Sequence, residues 1–281
     1  MTIDLKSAAT FGVAGNFTGH LEQAGEASDF VNVKVAEANA PKAIFPTYIP
    51  NANDSNVVPD HLKSFPWSAT CIEYPENQDK LQLEPECAII CDAKWEGDKL
   101  VSLSPIGFGA SNDCSIRREG AKKISLKKNW GGNSKGLSAN ILPVDSFNCN
   151  GLINDYRIAS FLLRDNKAFP YGEDSRICDY SYVYDKLITW MLDKFNNQAD
   201  EGPAENIHSY LVAAGCPSRI LISIGATRYT KYGETNFLKK GDHSVVVLYP
   251  ESKYSFDNVV EMLESGSVSD PDISVLDQII M

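Results

Sequence analysis

An α+β fold is what this sequence predicts, and three observations carry the prediction. Residues 81–92 and 99–104 read as two strands, turned by Gly97-Asp98. Apolar residues recur at helical spacing over 184–198 (Leu187, Trp190, Met191, Phe195) and over 256–263 (Phe256, Val259, Val260, Leu263). Strands and helices do not alternate regularly, so a doubly wound parallel sheet is excluded.

Taken in order, Phe11 to Ala14 reads as a short strand, followed by Gly15-Asn16 and a helix over 17–27. Prolines 41, 46, 50, 59 and 66 punctuate an Asn/Asp-rich stretch that predicts connection or site rim, not regular structure. After the 81–104 pair, Ile106 to Ala110 leads to Asn112-Asp113, and its two glycines would let backbone approach a ligand. Residues 119–136, rich in Lys and Gly, predict a mobile segment with the character of a lid. A second helix is expected over 204–214, ended by Gly215, and strands over 219–224 and 243–249. The acidic tail from Ser267 is expected to lie across the surface or fray.

The balance of 43% hydrophobic and 22% charged residues supplies an ordinary core. Net charge is -11, with 26 Lys and Arg against 37 Asp and Glu. No sustained basic stripe is present, which argues against nucleic acid as a partner. The start of the chain is too short in apolar residues and too uncharged for a signal peptide, and no run reaches membrane-span length. A soluble cytoplasmic protein, with no membrane partner, is therefore expected. The seven cysteines are scattered without a Cys-x-x-Cys pair, and Cys87 and Cys91 read as small buried hydrophobes.

The candidate chemistry lies in three acids. Glu84 and Glu86 flank Pro85, and on a strand that spacing points both side chains to one side. Two like charges at the head of the apolar run Cys87-Ala88-Ile89-Ile90-Cys91 would repel each other and lose hydration. A hard divalent cation resolves that conflict, and Asp113 from elsewhere would complete an oxygen ligand set. The bland alternative is a solvated strand face, with Pro85 at an edge or non-donating position. His20 and Gln23 share a helical face at i, i+3, whereas Glu22 points elsewhere in a regular helix. Arg117, Arg118 and Lys135 are the local cations placed to hold an anionic substrate, unless they are ordinary surface charges. The segment 131–135 lacks phosphate-loop spacing, so nucleotide binding is not expected.

These segments, in this order, resemble the fumarylacetoacetate hydrolase family. Ala14-Gly15-Asn16-Phe17-Thr18-Gly19-His20 is similar to its Gly-x-Asn-Tyr-x-x-His segment, and Glu84-Pro85-Glu86 to its Glu-x-Glu metal pair. Asn112-Asp113-Cys114-Ser115-Ile116-Arg117 resembles Asn-Asp-x-Ser-x-Arg, and Lys135 falls where the family carries an active-site Lys. Ile224-Gly225-Ala226-Thr227 is similar to a worn Thr-Gly-Thr-Pro, and Leu238-Lys239-Lys240-Gly241-Asp242 to Leu-x-x-Gly-Asp.

The resemblance implies a mixed β-roll core with peripheral helices, as one domain over 1–281. Residues 1–66 would be its divergent N-terminal portion and 251–281 a helical, acidic extension. It implies Mg²⁺ or Mn²⁺ on Glu84, Glu86 and Asp113, a small oxo-acid substrate, and a homodimer. It gives catalytic roles to His20, Glu22 and Lys135, and substrate binding to Asn16, Phe17, Arg117, Gly225 and Thr227. The activity it implies is hydrolysis of a C–C bond in an acylpyruvate-like or 1,3-dioxo acid. Decarboxylation or isomerisation on the same metal, or a binding protein without catalysis, are the alternatives. Hydrolytic members carry Glu three residues after the His, where this chain has Gln23. Either a local turn brings Glu22 to His20, or water activation is weakened.

Overall fold

The computed structural model describes residues 3–30, 33, 35, 37–118, 120–165, 167–266 and 268–281. The first strands are β1 (Ala9–Ala14), β2 (Ala43–Tyr48), β3 (Trp67–Ser68), β4 (Cys71–Ile72) and β5 (Leu81–Gln82). The central ones are β6 (Pro85–Glu96), β7 (Lys99–Asn112), β8 (Ser115–Ile116), β9 (Lys135–Leu137) and β10 (Leu142–Pro143). The last are β11 (Tyr156–Arg164), β12 (Lys167–Arg176), β13 (Arg219–Ala226), β14 (His243–Pro250) and β15 (Ser274–Ile280). Five helices accompany them: α1 (His20–Gln23), α2 (Tyr184–Asn197), α3 (Ile207–Ala213), α4 (Lys231–Thr235) and α5 (Phe256–Ser265). None of the described helices is long and apolar enough to cross a membrane.

An eight-stranded mixed sheet runs β2-β1-β13-β6-β7-β9-β3, with β10 also paired to β7. A five-stranded sheet runs β12-β11-β14-β15-β4. The apolar runs are continuous because central strands are buried on both faces. In β14, Val246 and Leu248 join the main core with Phe108, Ile158 and Leu276. Val245, Val247 and Tyr249 face the other way, into a cluster with Val259 and Leu263 of α5. Helix α2 buries Leu187, Met191 and Phe195 of the expected stripe and leaves its Trp190 half-buried, and Phe195 meets Phe11 of β1 edge-on at 4.9 Å. This is the α+β roll that the sequence predicts.

Several local expectations are corrected. The helix expected over 17–27 is one turn, because Gly19 and Gly25 adopt positive φ (89° and 71°) on either side of it. The proline-rich stretch contains β2, which accommodates Pro46 beside a register shift against β1. Gly107 and Gly109 admit no ligand; a Cβ on either would lie 2.8 Å from the Ile141 side chain. Residues 124–129 are not an exposed lid: Ile124, Ser125, Lys127, Lys128 and Asn129 are buried. Hairpin β11–β12 has no counterpart among the predicted elements; β12 carries Pro170, tolerated because the strand is at a sheet edge. Ser267 lies outside the described residues, but beyond it the tail does not fray: 268–272 run partly exposed, and the rest buries alternate side chains in a strand. That strand is β15, between β14 and β4.

Strand β15 also braces the acids. Gln278, fully buried, donates to the carbonyls of Ser68 and Cys71 (both 3.1 Å) and accepts from Asn112 Nδ2 (3.1 Å). Asn112 Oδ1 in turn accepts the Glu84 N–H at 3.2 Å. Replacing Gln278 with Leu removes the partner of the buried Asn112 amide and of the half-buried Ser68 and Cys71 carbonyls. The expected loss is about 2–4 kcal/mol of unfolding free energy in urea titration; a loss below about 1 kcal/mol would contradict this bracing role.

Candidate metal centre

The register of the β6–β7 hairpin assembles the acid trio. Pro85 pairs with Asn112 and Glu86 with Ser111, so Glu84 and Asp113 face each other just beyond the paired end. The Asp113 N–H donates to the Glu84 carbonyl at 3.0 Å, closing that end. Pro85 is the first residue of its strand, where a missing N–H is harmless. One ligand oxygen from each of Glu84, Glu86 and Asp113 lies within 4.8 Å of the others, and all three residues are buried. The three acids therefore converge, and the exposed strand-face alternative is excluded.

Protein cations surround them. Lys128 Nζ lies 2.6 Å from both Glu84 Oε2 and Asp113 Oδ2. Arg117 reaches Glu84 Oε1 at 2.6 Å, and Lys135 reaches Asp113 Oδ1 at 3.3 Å. Every carboxylate oxygen of Glu84 and Asp113 thus meets a cation. Glu86 differs: its Oε2 accepts the Gly225 N–H at 2.7 Å, and no ion pair engages it among the described residues. Gly225 holds φ 119°, and a Cβ there would sit 3.0 Å from Asn16 Cβ, so the glycine is required by fit and conformation.

Burial pulls these groups in different directions. It would raise the Glu84 carboxyl, but Lys128 and Arg117 outweigh it and hold that carboxyl well below the usual range. With no such partner, burial and the neighbouring Asp113 and Glu84 push Glu86 well above it. Burial lowers the Lys135 ammonium, opposed by Asp113. Burial also lowers Lys128, but Asp113 and Glu84 overcome it and raise that ammonium.

As to a metal, the donor set fits a Mg²⁺-like ion in number and hardness. Glu84 Oε1 and Asp113 Oδ2 are buried and have no aligned hydrogen-bond donor among the described residues, so each is held by charge alone, from Arg117 and Lys128 respectively. The fit has one condition: Lys128, which bridges two of the three acids, must move aside.

The remaining predicted residues divide. His20 is buried; its Nδ1 lies 2.9 Å from the Thr227 carbonyl and its ring 5.1 Å from that of Tyr229. A carbonyl partner assigns the proton to Nδ1 and leaves Nε2 as the basic nitrogen. Glu22 is exposed and does not join the site. Gln23 does not orient His20 either: it exchanges two hydrogen bonds with the backbone of Tyr229 (2.8 and 3.1 Å). A single helical turn leaves Glu22 on its outer face, so of the two alternatives the local turn does not bring Glu22 to His20. Asn16 is spent on structure, its amide bonding the carbonyls of Tyr182 and Ile224 and the N–H of Tyr182. Phe17 packs edge-on against Tyr180 at 5.3 Å. Lys135 is fully buried, bonded to the Cys114 carbonyl and 5.2 Å from the Trp130 ring, and is therefore no mobile substrate hook.

Arg117 forms one wall of a cleft of about 440 Å³ whose lining includes Gln23, Glu26, Lys80, Gln82 and Lys127. It bonds Glu26 (2.7 Å), Gln82 (2.6 Å) and Tyr229 Oη (2.8 Å) as well as Glu84. Lys127 also pairs with Glu26 at 2.8 Å. Sequence reasoning missed Glu26, Lys127 and Lys128. The only sequence signal for the two lysines was their place just before Asn129-Trp130 in a stretch that read as polar loop.

His20 gives a pH prediction. Burial lowers its pKa to about 4, Arg117 and Lys128 assisting, against Glu84 and Glu26. The unfolded chain, with an ordinary value near 6.5, takes up the proton first, so this residue makes stability fall as pH drops from 6.5 towards 4. By pH 5 the expected share is about 2 kcal/mol. Urea unfolding at pH 7 and pH 5 should show that extra loss in the wild type and not in His20→Gln; equal pH dependence would contradict it.

Residues 26–280 match the model of a family described as a family of unknown function (DUF5718). No curated protein sequence matches the chain. Among solved structures it is similar to Cg1458 with an inhibitor (TM-score 0.56, 14% identity, 98% of this chain and 77% of that chain). It is similar to a 2-keto-3-deoxy-D-arabinonate dehydratase complexed with magnesium and 2,5-dioxopentanoate (0.54, 13%, 97% and 72%). A further similar structure is a candidate fumarylacetoacetate isomerase/hydrolase from Oleispira antarctica (0.53, 12%, 98% and 93%). The fold is thus that of the fumarylacetoacetate hydrolase type, and the chain belongs to the DUF5718 family.

Proposed function

We propose that the chain is a divalent-metal-dependent enzyme acting on a small oxo acid at Glu84, Glu86 and Asp113. The observation that carries this reading is the convergence of three buried carboxylates within 4.8 Å. A protein of the same fold, holding magnesium and 2,5-dioxopentanoate, lends it support. Bound at the trio, Mg²⁺ or Mn²⁺ would polarise the substrate carbonyl and stabilise an enolate. The chain's own residues supply the rest. Arg117 links the trio to a cleft lined by both signs of charge, where it and Lys127 pair with Glu26 and would turn to an anionic substrate only by exchanging that partner. His20 presents an unprotonated Nε2 at neutral pH and can accept or return a proton at that atom.

The reaction class follows from what His20 lacks. Its Nδ1 is held by a carbonyl, and neither Glu22 nor Gln23 reaches it. A carbonyl fixes the tautomer but stabilises an imidazolium far less than a carboxylate does. This weakens the reading as a C–C hydrolase, which must activate water. It favours isomerisation, decarboxylation or dehydration, which need the enolate without a water nucleophile. A binding or structural role without turnover is the second reading, favoured by the cation opposite every oxygen of Glu84 and Asp113.

Glu86→Gln separates the two. The amide keeps an oxygen for the Gly225 N–H and leaves the ion pairs of Glu84 and Asp113 in place. With millimolar Mg²⁺ or Mn²⁺ and a panel of 2-oxo and 1,3-dioxo acids, the wild type should turn over at least one substrate. The variant should lose about 100-fold or more of kcat/KM, with weakened Mn²⁺ binding. Absence of turnover across the panel, with Mn²⁺ affinity unchanged in the variant, would overturn the metal-enzyme reading.

A further inference from the structure

We propose that Lys128 is a tethered cation occupying the ground a divalent ion would take, so that metal binds this protein only by displacing it. The inference rests on the metal-centre reading above and adds a competitor built into the chain. The ammonium touches Glu84 Oε2 and Asp113 Oδ2 at 2.6 Å each and lies 3.4 Å from the Asp113 carbonyl. It also sits 5.1 Å from the centre of the Phe45 ring, an added cation–π attraction.

The place is built, not incidental. Phe45 lies in β2 against Gly12 of β1, where a Cβ would come within 2.3 Å of its ring. The glycine makes room for the ring, and the ring flanks the ammonium. From the other side the buried turn 124–129 holds the lysine stem, with Asn129 bonded to the carbonyls of Thr47 and Ser64 (2.8 and 3.0 Å). Arg117 and Lys135 take the other oxygens of Glu84 and Asp113, so a metal approaching those two acids finds each of their oxygens already facing a positive charge. Lys128 is the cation shared between both acids. Its departure is therefore the step that opens the pair.

A competitor of this kind reduces apparent affinity by the fraction of molecules in which it has moved aside. If that fraction is about 1%, Mn²⁺ binds about 100-fold more weakly than the same acids allow without the lysine. A lysine set between metal ligands would thus keep the centre empty at low metal and fill it only when divalent ion, or a chelating oxo acid carrying one, is abundant.

The test is Mn²⁺ binding at pH 7, followed by electron paramagnetic resonance and calorimetry, on the wild type, Lys128→Met and Phe45→Leu. Phe45→Leu keeps every charge and covers the case in which Lys128→Met does not fold. Lys128→Met is expected to bind about 100-fold more tightly than the wild type, and Phe45→Leu about fivefold more tightly. Equal affinity in all folded variants overturns the competitor and leaves the metal centre standing. Failure of every folded variant to bind Mn²⁺ overturns the metal centre and the competitor together.

Discussion

The structure depends on one constraint: acids buried at the end of the β6–β7 hairpin must be neutralised without water. Moving a carboxylate out of water costs several kcal/mol even after relaxation, and removing one partner of a buried pair costs roughly 3–5 kcal/mol. Glu84 and Asp113 meet this with Lys128, Arg117 and Lys135, whereas Glu86 relies on the Gly225 N–H. The three cations come from one stretch, 117–135, and the Gly225 N–H from β13, so the cluster ties that stretch and β13 to the β6–β7 hairpin.

Those ties explain the arrangement around the centre. The one-turn helix holding His20 is fastened to 227–229 through Thr227, and Gln23 to Tyr229. Arg117 bonds Tyr229, Gln82 and Glu26 together. On the opposite side, β15 brings Gln278 to Asn112 and so to the Glu84 backbone. Strand β15, paired with β14 and β4, reaches the hairpin end through one side chain. The geometry of the acids is thus a property of the whole chain.

The sequence made the acid trio legible because its signals are local. A period of two sets Glu84 beside Glu86, and an antiparallel hairpin turned at Gly97-Asp98 returns Asp113 to them. Helices α2 and α5 were legible for a similar reason, since apolar stripes recur within one element. Lys128 was not, because a lysine in a polar stretch is most often solvated, and only a long-range charge balance reverses that expectation. Strand β15 escaped because its alternation, with Val275, Asp277 and Ile279 against Ser274, Leu276 and Gln278, mixes polar and apolar residues on both faces. Its central role comes from the neighbours β14 and β4, which no local pattern announces. Spacing gave the residue types in the right order at His20 and Lys135, but folding decided their reach: the single turn at His20 leaves Glu22 exposed, and Lys135 meets Asp113 from a fully buried position.

What joins these observations is a cluster of buried acids balanced by the chain's own cations, in which the proposed metal would have to contest the Lys128 ammonium for the same oxygens. Anomalous diffraction from wild-type crystals soaked in Mn²⁺ tests that directly. A manganese peak bounded by Glu84, Glu86 and Asp113 is expected, with the Lys128 ammonium withdrawn from both acids it now bridges. Manganese bound at the trio with Lys128 still bridging Glu84 and Asp113, or no peak there at saturating metal, would contradict it.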